Sequence, residues 1–240
     1  MKYIFLDTET SALPKTKWIG EKKVTLYPYI VQIAWCVFDT EINKIVCTHS
    51  SLIRIPDDVR ISIASTQIHK INKTKLINNG QNPLIVFEGL NRVLKNVDKV
   101  VCHNIDFDIP IIKSNLQDYG LDNGFDKFTK DDFICTMKEA KYKAFCNIWK
   151  LNFRGQKYLK YPTLLELHDK LFLQNQNSKI GIVNTQEIDQ NALHDAMTDV
   201  NVLLRCFIYF NYSIDVVHIH PDIYSSLYPS IALNTYTTTV

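Results

Sequence analysis

Two acidic residues beside an apolar segment near the start of the chain are spaced for metal chemistry. The stretch FLDTETSAL places Asp7 and Glu9 just after Tyr3 to Leu6, four large apolar residues typical of a short buried strand. Side chains two apart in a strand share a face, so these carboxylates point the same way. They repel each other, and a divalent cation offsets that repulsion. The alternative is a strand that ends in solvent, where acids are common.

Two further acids follow elements that can bring them to the same place. The segment CHNIDFDIP puts Asp108 one turn into a helix that follows a strand, at the sheet edge where α/β proteins form their sites. The segment HDAMTD puts His194 five residues before Asp199, at the start of the last long helix. Taken separately, these residues have structural explanations as a helix cap, a first-turn acid and a surface acid.

Together, four carboxylates match the charge of two Mg²⁺ or Mn²⁺ ions, which are hard cations that prefer oxygen ligands. Two such ions ~3.5–4 Å apart suit an in-line displacement at phosphorus. Histidine is the side chain best suited to act as base for an attacking water near neutral pH, and His194 is the candidate.

The segments DTETSAL, HNIDFD and HDAMTD, in this order, resemble the three motifs of the DEDDh, or DnaQ-like, 3′–5′ exonucleases. This family includes the proofreading subunit of bacterial replicative DNA polymerase. YIVQIAW is similar to the second strand of the family and STQIHKIN to its short His-Gly-Ile-Thr segment, so the resemblance covers residues 1 to about 210. It implies a ribonuclease H-like fold with two Mg²⁺ or Mn²⁺ ions. The implied metal ligands are Asp7, Glu9, Asp108 and Asp199, the implied general base is His194, and the implied contacts to the terminal nucleotide are Thr8, Leu13, Asn104 and Phe107.

Two positions depart from the family pattern. The usual Thr-Gly-Leu is Ser11-Ala12-Leu13 here, and Lys70 stands where the family often has glycine after His69. If Ala12 requires a positive φ, its methyl group will be strained. Neither change removes a ligand, so we expect an active enzyme. His69, His103 and His168 are predicted to be structural, because none has the acidic neighbours of a ligand.

The resemblance implies a metal-dependent 3′–5′ exonuclease that releases nucleoside 5′-monophosphates from single-stranded DNA or RNA 3′ ends, with DNA favoured and a DNA polymerase as one expected partner. An RNA 3′-end processor or oligoribonuclease-like enzyme is the alternative within this class. A catalytically inactive, polymerase-associated nucleic-acid-binding module is the alternative outside it. The presence of all five catalytic residues favours an enzyme.

A basic and aromatic stretch runs from Lys127 to Tyr161. It carries nine lysines and arginines against three acids, with eight aromatic residues interleaved. Phosphates favour the cations and bases stack on aromatic rings, so this stretch suits a single strand. Lysines in solvent above core aromatics are the equal alternative.

The elements predicted around these residues define an α/β fold. YIVQIAWCVFD and KIVCTHSSLIRI read as strands that pair with the first one, after a basic loop, PKTKWIGEKK. Helices are predicted behind the Asn82-Pro83 cap, from Phe107 to Tyr119 with Pro110 in the first turn, and behind a capping box of Thr163 and Glu166. Antiparallel strands followed by alternating strands and helices predict a mixed five-stranded sheet flanked by helices.

Composition limits the remaining possibilities. The 240 residues have a net charge of +2, and no stretch approaches the ~18 apolar residues that cross a bilayer, so we expect a soluble protein without a membrane or targeting segment. Six scattered cysteines predict free thiols in a reducing, cytoplasmic compartment.

We divide the chain into an exonuclease domain, residues 1–212, and an extension, residues 213–240. The extension contains SLYPSI, which resembles part of a family B DNA polymerase motif, although Asp222 lies one residue too far from Ser226. It is expected to pack on the domain or to meet a partner, with a polymerase remnant as the alternative.

Overall fold

A five-stranded mixed sheet lies at the centre of the computed structural model, which describes residues 1–173, 188 and 194–227. In chain order the strands are β1 (Lys2–Thr10), β2 (Lys15–Ile19), β3 (Lys22–Leu26), β4 (Ile30–Asp39), β5 (Lys44–Leu52), β6 (Lys99–Cys102), β7 (Phe133–Cys135), β8 (Trp149–Leu151) and β9 (Lys157–Leu159). The central sheet has the order β5-β4-β1-β6-β7, while β2–β3 and β8–β9 form separate hairpins. Strands β5, β4 and β1 pair antiparallel, and β1, β6 and β7 pair parallel. The predicted mixed five-stranded α/β fold is confirmed.

Helices cover both faces of the sheet. They are α1 (Ile63–His69), α2 (Lys73–Asn79), α3 (Pro83–Leu94), α4 (Ile105–Asp118), α5 (Ala140–Cys146), α6 (Leu164–Phe172), α7 (Ala196–Tyr212) and α8 (Pro221–Leu227). Two predicted caps are present. The Asn82 side chain accepts a hydrogen bond from the backbone N–H of Leu84, and Thr163 and Glu166 form a capping box at α6.

Successive side chains of β1 pack in two apolar clusters on opposite faces of the sheet, and this alternation determines which face its acids point to. Tyr3 and Phe5 pack in the cluster formed mainly by α6 and α7, whereas Ile4 and Leu6 pack in the cluster formed by α3 and α4. Because residues two apart in a strand share a face, the Asp7 side chain lies on the same face as Tyr3 and Phe5, toward α7. The chain therefore directs its first acid toward the helix that carries Asp199.

The elements near the site differ from the prediction in three respects. Strand β1 does not end before the acids but runs through them to Thr10, because its backbone continues to pair with β4 from Ala34 to Ile30. The predicted basic loop is a β-hairpin closed by Gly20, whose φ of 60° suits a tight turn. Helix α4 begins at Ile105, two residues early, so Pro110 lies inside the helix rather than in its first turn.

The chain after α7 folds back onto that helix. Val216, Val217, Ile223 and Leu227 are buried in the same apolar cluster as α7. The side chain of Ser226 accepts a hydrogen bond from Asn201 of α7, at 2.9 Å, while Asp222 is exposed. Residues 228–240, with most of SLYPSI, lie outside the described residues. The domain division at residue 212 stays a prediction.

The six cysteines are free thiols, five of them buried. The cytoplasmic location expected from them stays a prediction. Within the described part of the chain, no helix has both the length and the apolar character needed to span a bilayer.

Candidate active site

One cleft of about 760 Å³ lies where β1 ends. The structure brings all nine residues predicted from the sequence to its lining: Asp7, Thr8, Glu9, Leu13, Asn104, Phe107, Asp108, His194 and Asp199. Seven further lining residues were not predicted as site residues: His103, Met137, Tyr161, Pro162, Thr163, Leu164 and Leu165. Strand β1, helix α4, helix α7 and the entry to α6 therefore meet at one point, while the roles of the nine residues stay predictions.

Side chains from three elements are close enough to act on one ligand. The Thr8 hydroxyl donates to Asp108 Oδ1 at 2.8 Å, which ties β1 to α4. Ligand atoms of Glu9, His194 and Asp199 all lie within 4.8 Å of one another. Because Asp108 is 3% exposed, its charge is held away from bulk water.

Burial and mutual repulsion disfavour the ionised form of all four carboxyl groups. Burial is the largest cause in each case. The pKa of Glu9 rises to about 8 and those of Asp108 and Asp199 to about 7. The pKa of Asp7 lies well above its ordinary range, because Asp108 and Asp199 add to the effect of its burial. The Thr8 hydroxyl opposes the shift at Asp108, since it donates to the ionised form.

These groups fit divalent cations. None of the four carboxylates forms an ion pair with a lysine or arginine within the described residues. A concentration of negative charge without a cationic side chain is stabilised by a metal ion, and an all-carboxylate oxygen set favours Mg²⁺ or Mn²⁺ over softer metals.

The turn before α7 is built to hold His194 over the cleft. His194 has a φ of 67°, a left-handed conformation uncommon for residues other than glycine, and its backbone N–H donates to Asp199 Oδ2 at 3.2 Å. The next residue, Asp195, caps α7 by accepting from the N–H groups of Met197 and Thr198. Its other oxygen accepts from Gln32 Nε2 at 2.7 Å, and Gln32 pairs with Glu9 across β4 and β1.

Asp195 and Gln32 were not singled out from the sequence. An acid just before a helix signals an N-cap, so the capping role of Asp195 was open to prediction. The bond to Gln32 joins residues 163 positions apart, and no local pattern reveals it.

The remaining lining residues form a partly apolar wall beside the acids. Leu13 is 71% exposed, and Asn104 caps α4 without using its side chain, so both are free to meet a ligand. Phe107 lies in the first turn of α4, and Tyr161 stands at the entry to α6 with the Lys143 Nζ 4.3 Å from its ring centre. This wall offers apolar surfaces and one amide, the kind of surface on which a nucleobase and a sugar can rest.

The three histidines predicted to be structural are held by contacts with groups other than the four acids, although His103 lines the cleft. His69 Nε2 donates to the carbonyl of Thr10, and its Nδ1 accepts from the backbone of Ile71. His103 lies between Thr136 and the carbonyl of Pro162, and burial lowers its pKa to about 4. His168 is fully buried, 3.2 Å from Arg205 Nη1.

The two departures from the family pattern have different outcomes. Among the described residues, Ala12 is not one of those with a positive φ, so its methyl group causes no backbone strain. Lys70 does have a positive φ, 58°, at the end of α1. The condition for strain at Ala12 is therefore not met, and the left-handed residue is Lys70 instead.

The basic and aromatic stretch divides into two parts. In its first half Phe128, Phe133, Tyr142 and Phe145 pack in the apolar clusters, as the alternative interpretation predicts. In its second half the aromatic rings are exposed, on and beside the β8–β9 hairpin. Only this second half offers rings to a nucleic acid strand.

The comparisons with known proteins agree on an exonuclease fold. The RNase_T family model, described as Exonuclease, matches residues 4–207. A structure of E. coli exonuclease I in complex with a dT13 oligonucleotide is similar, with a TM-score of 0.60 and 14% identity over 93% of this chain and 43% of that chain. A zinc-bound E. coli exonuclease I–ssDNA complex gives a TM-score of 0.61 with 14% identity, over 88% and 41%. An exonuclease I complex with SSB-Ct gives 0.58 with 13% identity, over 88% and 42%.

At this identity the likeness to the solved structures shows the fold. The chain spans less than half of the length of these exonuclease I chains. A search of curated proteins finds no significant match.

Proposed function

Because the chain belongs to the RNase_T exonuclease family, we propose that it is a DEDDh-type 3′–5′ exonuclease that removes nucleoside 5′-monophosphates from single-stranded DNA. The observation that carries this proposal is the convergence of four carboxylates and a histidine, from β1, α4 and α7, on one cleft. The resemblance of the three motifs to those of the proofreading exonucleases supports cleavage in the 3′–5′ direction. The dT13 and ssDNA complexes of exonuclease I favour DNA as the substrate.

Asp7, Glu9, Asp108 and Asp199 are the residues that would hold divalent cations. When bound, Mg²⁺ or Mn²⁺ supplies Lewis-acid stabilisation of the charge that develops on the phosphate and on the departing oxygen. The proposal of two ions follows from four carboxylates, whose combined charge two divalent ions balance.

The protein side chains position the reactants and accept a proton. His194 lies beside Glu9 and Asp199, where its imidazole accepts a proton from the attacking water. The water oxygen bonds to the terminal phosphorus, and the bond from phosphorus to the 3′ oxygen of the preceding nucleotide breaks. That oxygen takes up a proton, which leaves a shortened strand with a 3′ hydroxyl and a free 5′-monophosphate.

The apolar wall selects an unpaired end. Leu13, Asn104 and Phe107 lie on the cleft beside the acids, so the terminal base and sugar rest there while the phosphate faces the carboxylates. A base must leave its stack to enter such a cleft, which costs least in a single strand. We further propose that the chain works with a partner that presents 3′ ends, a DNA polymerase or, as for exonuclease I, a single-strand-binding protein tail.

The test is degradation of 5′-labelled 20-nucleotide DNA and RNA with Mg²⁺, with Mn²⁺ and with EDTA. We expect a ladder of products shortened from the 3′ end, faster on DNA, and no activity in EDTA. Asp7→Asn and Asp199→Asn are expected to abolish the ladder, whereas Asp222→Asn, an exposed acid on α8, serves as the matched control. Full activity in EDTA, or a ladder that persists in Asp199→Asn, contradicts the assignment.

A further inference from the structure

Two hairpins outside the central sheet are exposed to an unusual degree for ordered strands. All residues of β2, and all but Val24 of β3, are exposed, with Trp18 at 69%. The β8–β9 hairpin is similar, and Phe153 at its turn is 92% exposed. Large exposed aromatic rings on ordered strands cost solvation free energy, so a surface that keeps them is typical of an interaction site.

Both hairpins begin or end beside the cleft. Strand β2 starts two residues after Leu13, and β9 ends two residues before Tyr161, and both of these residues line the cleft. The five-residue strands β2 and β3 are each roughly 16 Å long, and the three-residue strands β8 and β9 are each roughly 10 Å long. The two hairpins are therefore continuous with the walls of the candidate active site.

The strand register gives each hairpin the same kind of cross-strand pair. Trp18 lies directly opposite Lys23 in the β2–β3 hairpin, and Lys150 lies directly opposite Tyr158 in the β8–β9 hairpin. Side chains in such pairs stand side by side on one face. A ring next to an ammonium group matches a nucleotide, whose base stacks on the ring while its phosphate meets the cation.

The hairpins carry an excess of cations, of which Arg154 lies 5.1 Å from the ring centre of Phe153. The β2–β3 hairpin has four lysines and one acid, and the β8–β9 hairpin has three cations and no acid between Trp149 and Leu159. Within the described part of the chain, none of these seven cations forms an ion pair. They are Lys15, Lys17, Lys22, Lys23, Lys150, Arg154 and Lys157.

We propose that these two hairpins are arms that hold the substrate strand on the 5′ side of the nucleotide being removed. This inference rests on the proposed exonuclease function and narrows its substrate to strands of several nucleotides. Trp18 and Tyr158 do not line the cleft, so the arms are expected to give the enzyme no advantage on a dinucleotide bound there. The chain is thus a degrader of extended single strands and not of the shortest oligonucleotides.

The experiment compares one long and one short substrate. Trp18→Ala/Lys23→Glu and Lys150→Glu/Tyr158→Ala each remove one ring and reverse one charge. The matched control is Ile42→Ala/Lys44→Glu, two exposed residues at the far end of the β4–β5 hairpin. We expect each arm variant to lower kcat/KM on 5′-labelled oligothymidylate of 20 nucleotides by about tenfold. On dithymidylate, kcat/KM is expected to stay within twofold, as it does for the control on both substrates.

Binding without cleavage separates the arms from the chemistry. Fluorescence anisotropy of the labelled 20-mer in EDTA is expected to show about tenfold weaker binding for each arm variant and a shallower salt dependence. Equal losses on both substrates, or no loss of affinity for the 20-mer, overturn the assignment of the arms. If the wild type cleaves nothing with Mg²⁺ or Mn²⁺, the proposed function fails, and the anisotropy result still decides whether the hairpins bind single strands.

Discussion

At the scale of single residues, the left-handed backbone of His194 constrains how its role can be tested. Its φ of 67° disfavours a Cβ-bearing residue such as alanine, so alanine changes the turn as well as the imidazole. Asparagine tolerates this conformation and is not a base, which makes His194→Asn the cleaner variant.

We expect His194→Asn to lower kcat by roughly 10²–10⁴, the contribution of a positioned general base. The carboxylates remain, so the Mg²⁺ concentration for half-maximal rate should change little. Rapid-quench measurement of the cleavage step on single-stranded DNA checks both values. A wild-type kcat in this variant would show that His194 is not the general base and only shapes the turn.

The hydrogen bond from Thr8 to Asp108 predicts a change in pH dependence. The hydroxyl stabilises the ionised carboxylate, so its loss in Thr8→Val raises the pKa of Asp108 above about 7. Protons then compete with the metal at higher pH, and we expect the acidic limb of the kcat/KM profile to move upward by about one pH unit.

At pH 7 this shift lowers kcat/KM by about fivefold, and activity recovers at pH 9. Thr48→Val, on β5 and away from the cleft, is the matched control. A uniform loss of rate at all pH values would indicate that Thr8 acts through packing instead.

The site residues illustrate what a sequence reveals at this scale. Asp7, Glu9, Asp108 and Asp199 stand in three short motifs, and their presence at one cleft follows from the predicted order of strands and helices. Tyr161 and the residues that follow it lie outside these three motifs. They reach the cleft because β9 leads directly into α6, which depends on tertiary packing.

At the scale of elements, the end of α1 contains a strained residue. Lys70 closes the helix with a φ of 58°, which costs a side-chain-bearing residue about 1–2 kcal/mol. Glycine removes this strain, but its greater entropy in the unfolded chain offsets part of the gain. We therefore expect Lys70→Gly to increase the free energy of unfolding by about 0.5–1 kcal/mol. Urea denaturation measures this gain, and Lys75→Gly, inside α2, should lose about 1 kcal/mol instead.

The contact between α7 and the segment that follows it depends on a buried ion pair. Arg205 is fully buried, and its Nε and Nη2 donate to the two Asp215 oxygens at 2.9 and 2.7 Å. Removal of the carboxylate from a buried guanidinium costs about 3–5 kcal/mol. We therefore expect Asp215→Ala to lower the free energy of unfolding by about that amount in urea, and Asp222→Ala, exposed on α8, to change it by less than about 0.5 kcal/mol. A loss below 1 kcal/mol for Asp215→Ala would show that the pair is dispensable.

Elements were predictable where their pattern was regular. Strand β4 is a continuous apolar run and α3 has a cap and an apolar stripe, so both were predicted close to their observed bounds. The β2–β3 hairpin has no buried face, and its lysines conceal the strand pattern. The early start of α4 depends on the Asn104 carbonyl, which accepts from Phe107, a bond that the sequence does not signal.

At the scale of the whole molecule, stability depends on pH through two opposing sets of groups. Burial lowers the pKa of His49, His69, His103, His168 and His220, so stability rises with pH until these residues are neutral in the unfolded chain, near pH 6.5. The acids of the cleft act in the other direction. The folded chain keeps protons on them up to about pH 7 to 8, whereas the unfolded chain loses these protons near pH 4.

We therefore expect the Tm of the metal-free protein to fall from pH 6.5 to pH 8, where the histidines no longer offset the acids. Mg²⁺ should abolish the fall, because it binds the ionised acids of the folded chain alone. Asp7→Asn, which removes one repelling charge, should raise the Tm at pH 8 in EDTA. Differential scanning calorimetry across pH 5–8, with and without Mg²⁺, measures these effects. A Tm that rises from pH 6.5 to 8 without metal would contradict the assignment of a buried acidic cluster.

The central position of β1 has a consequence for synthesis on the ribosome. Strand β1 leaves the exit tunnel well before two elements that it needs: its neighbour β6 begins at Lys99, and the helix that covers its acidic face ends at Tyr212. At about 5–20 residues per second, roughly 10–40 s separate the appearance of Asp7 from that of α7. The nascent chain is thus unable to bring its four carboxylates together until α7 has been translated, so no partly synthesised chain that lacks α7 carries the complete acidic cleft.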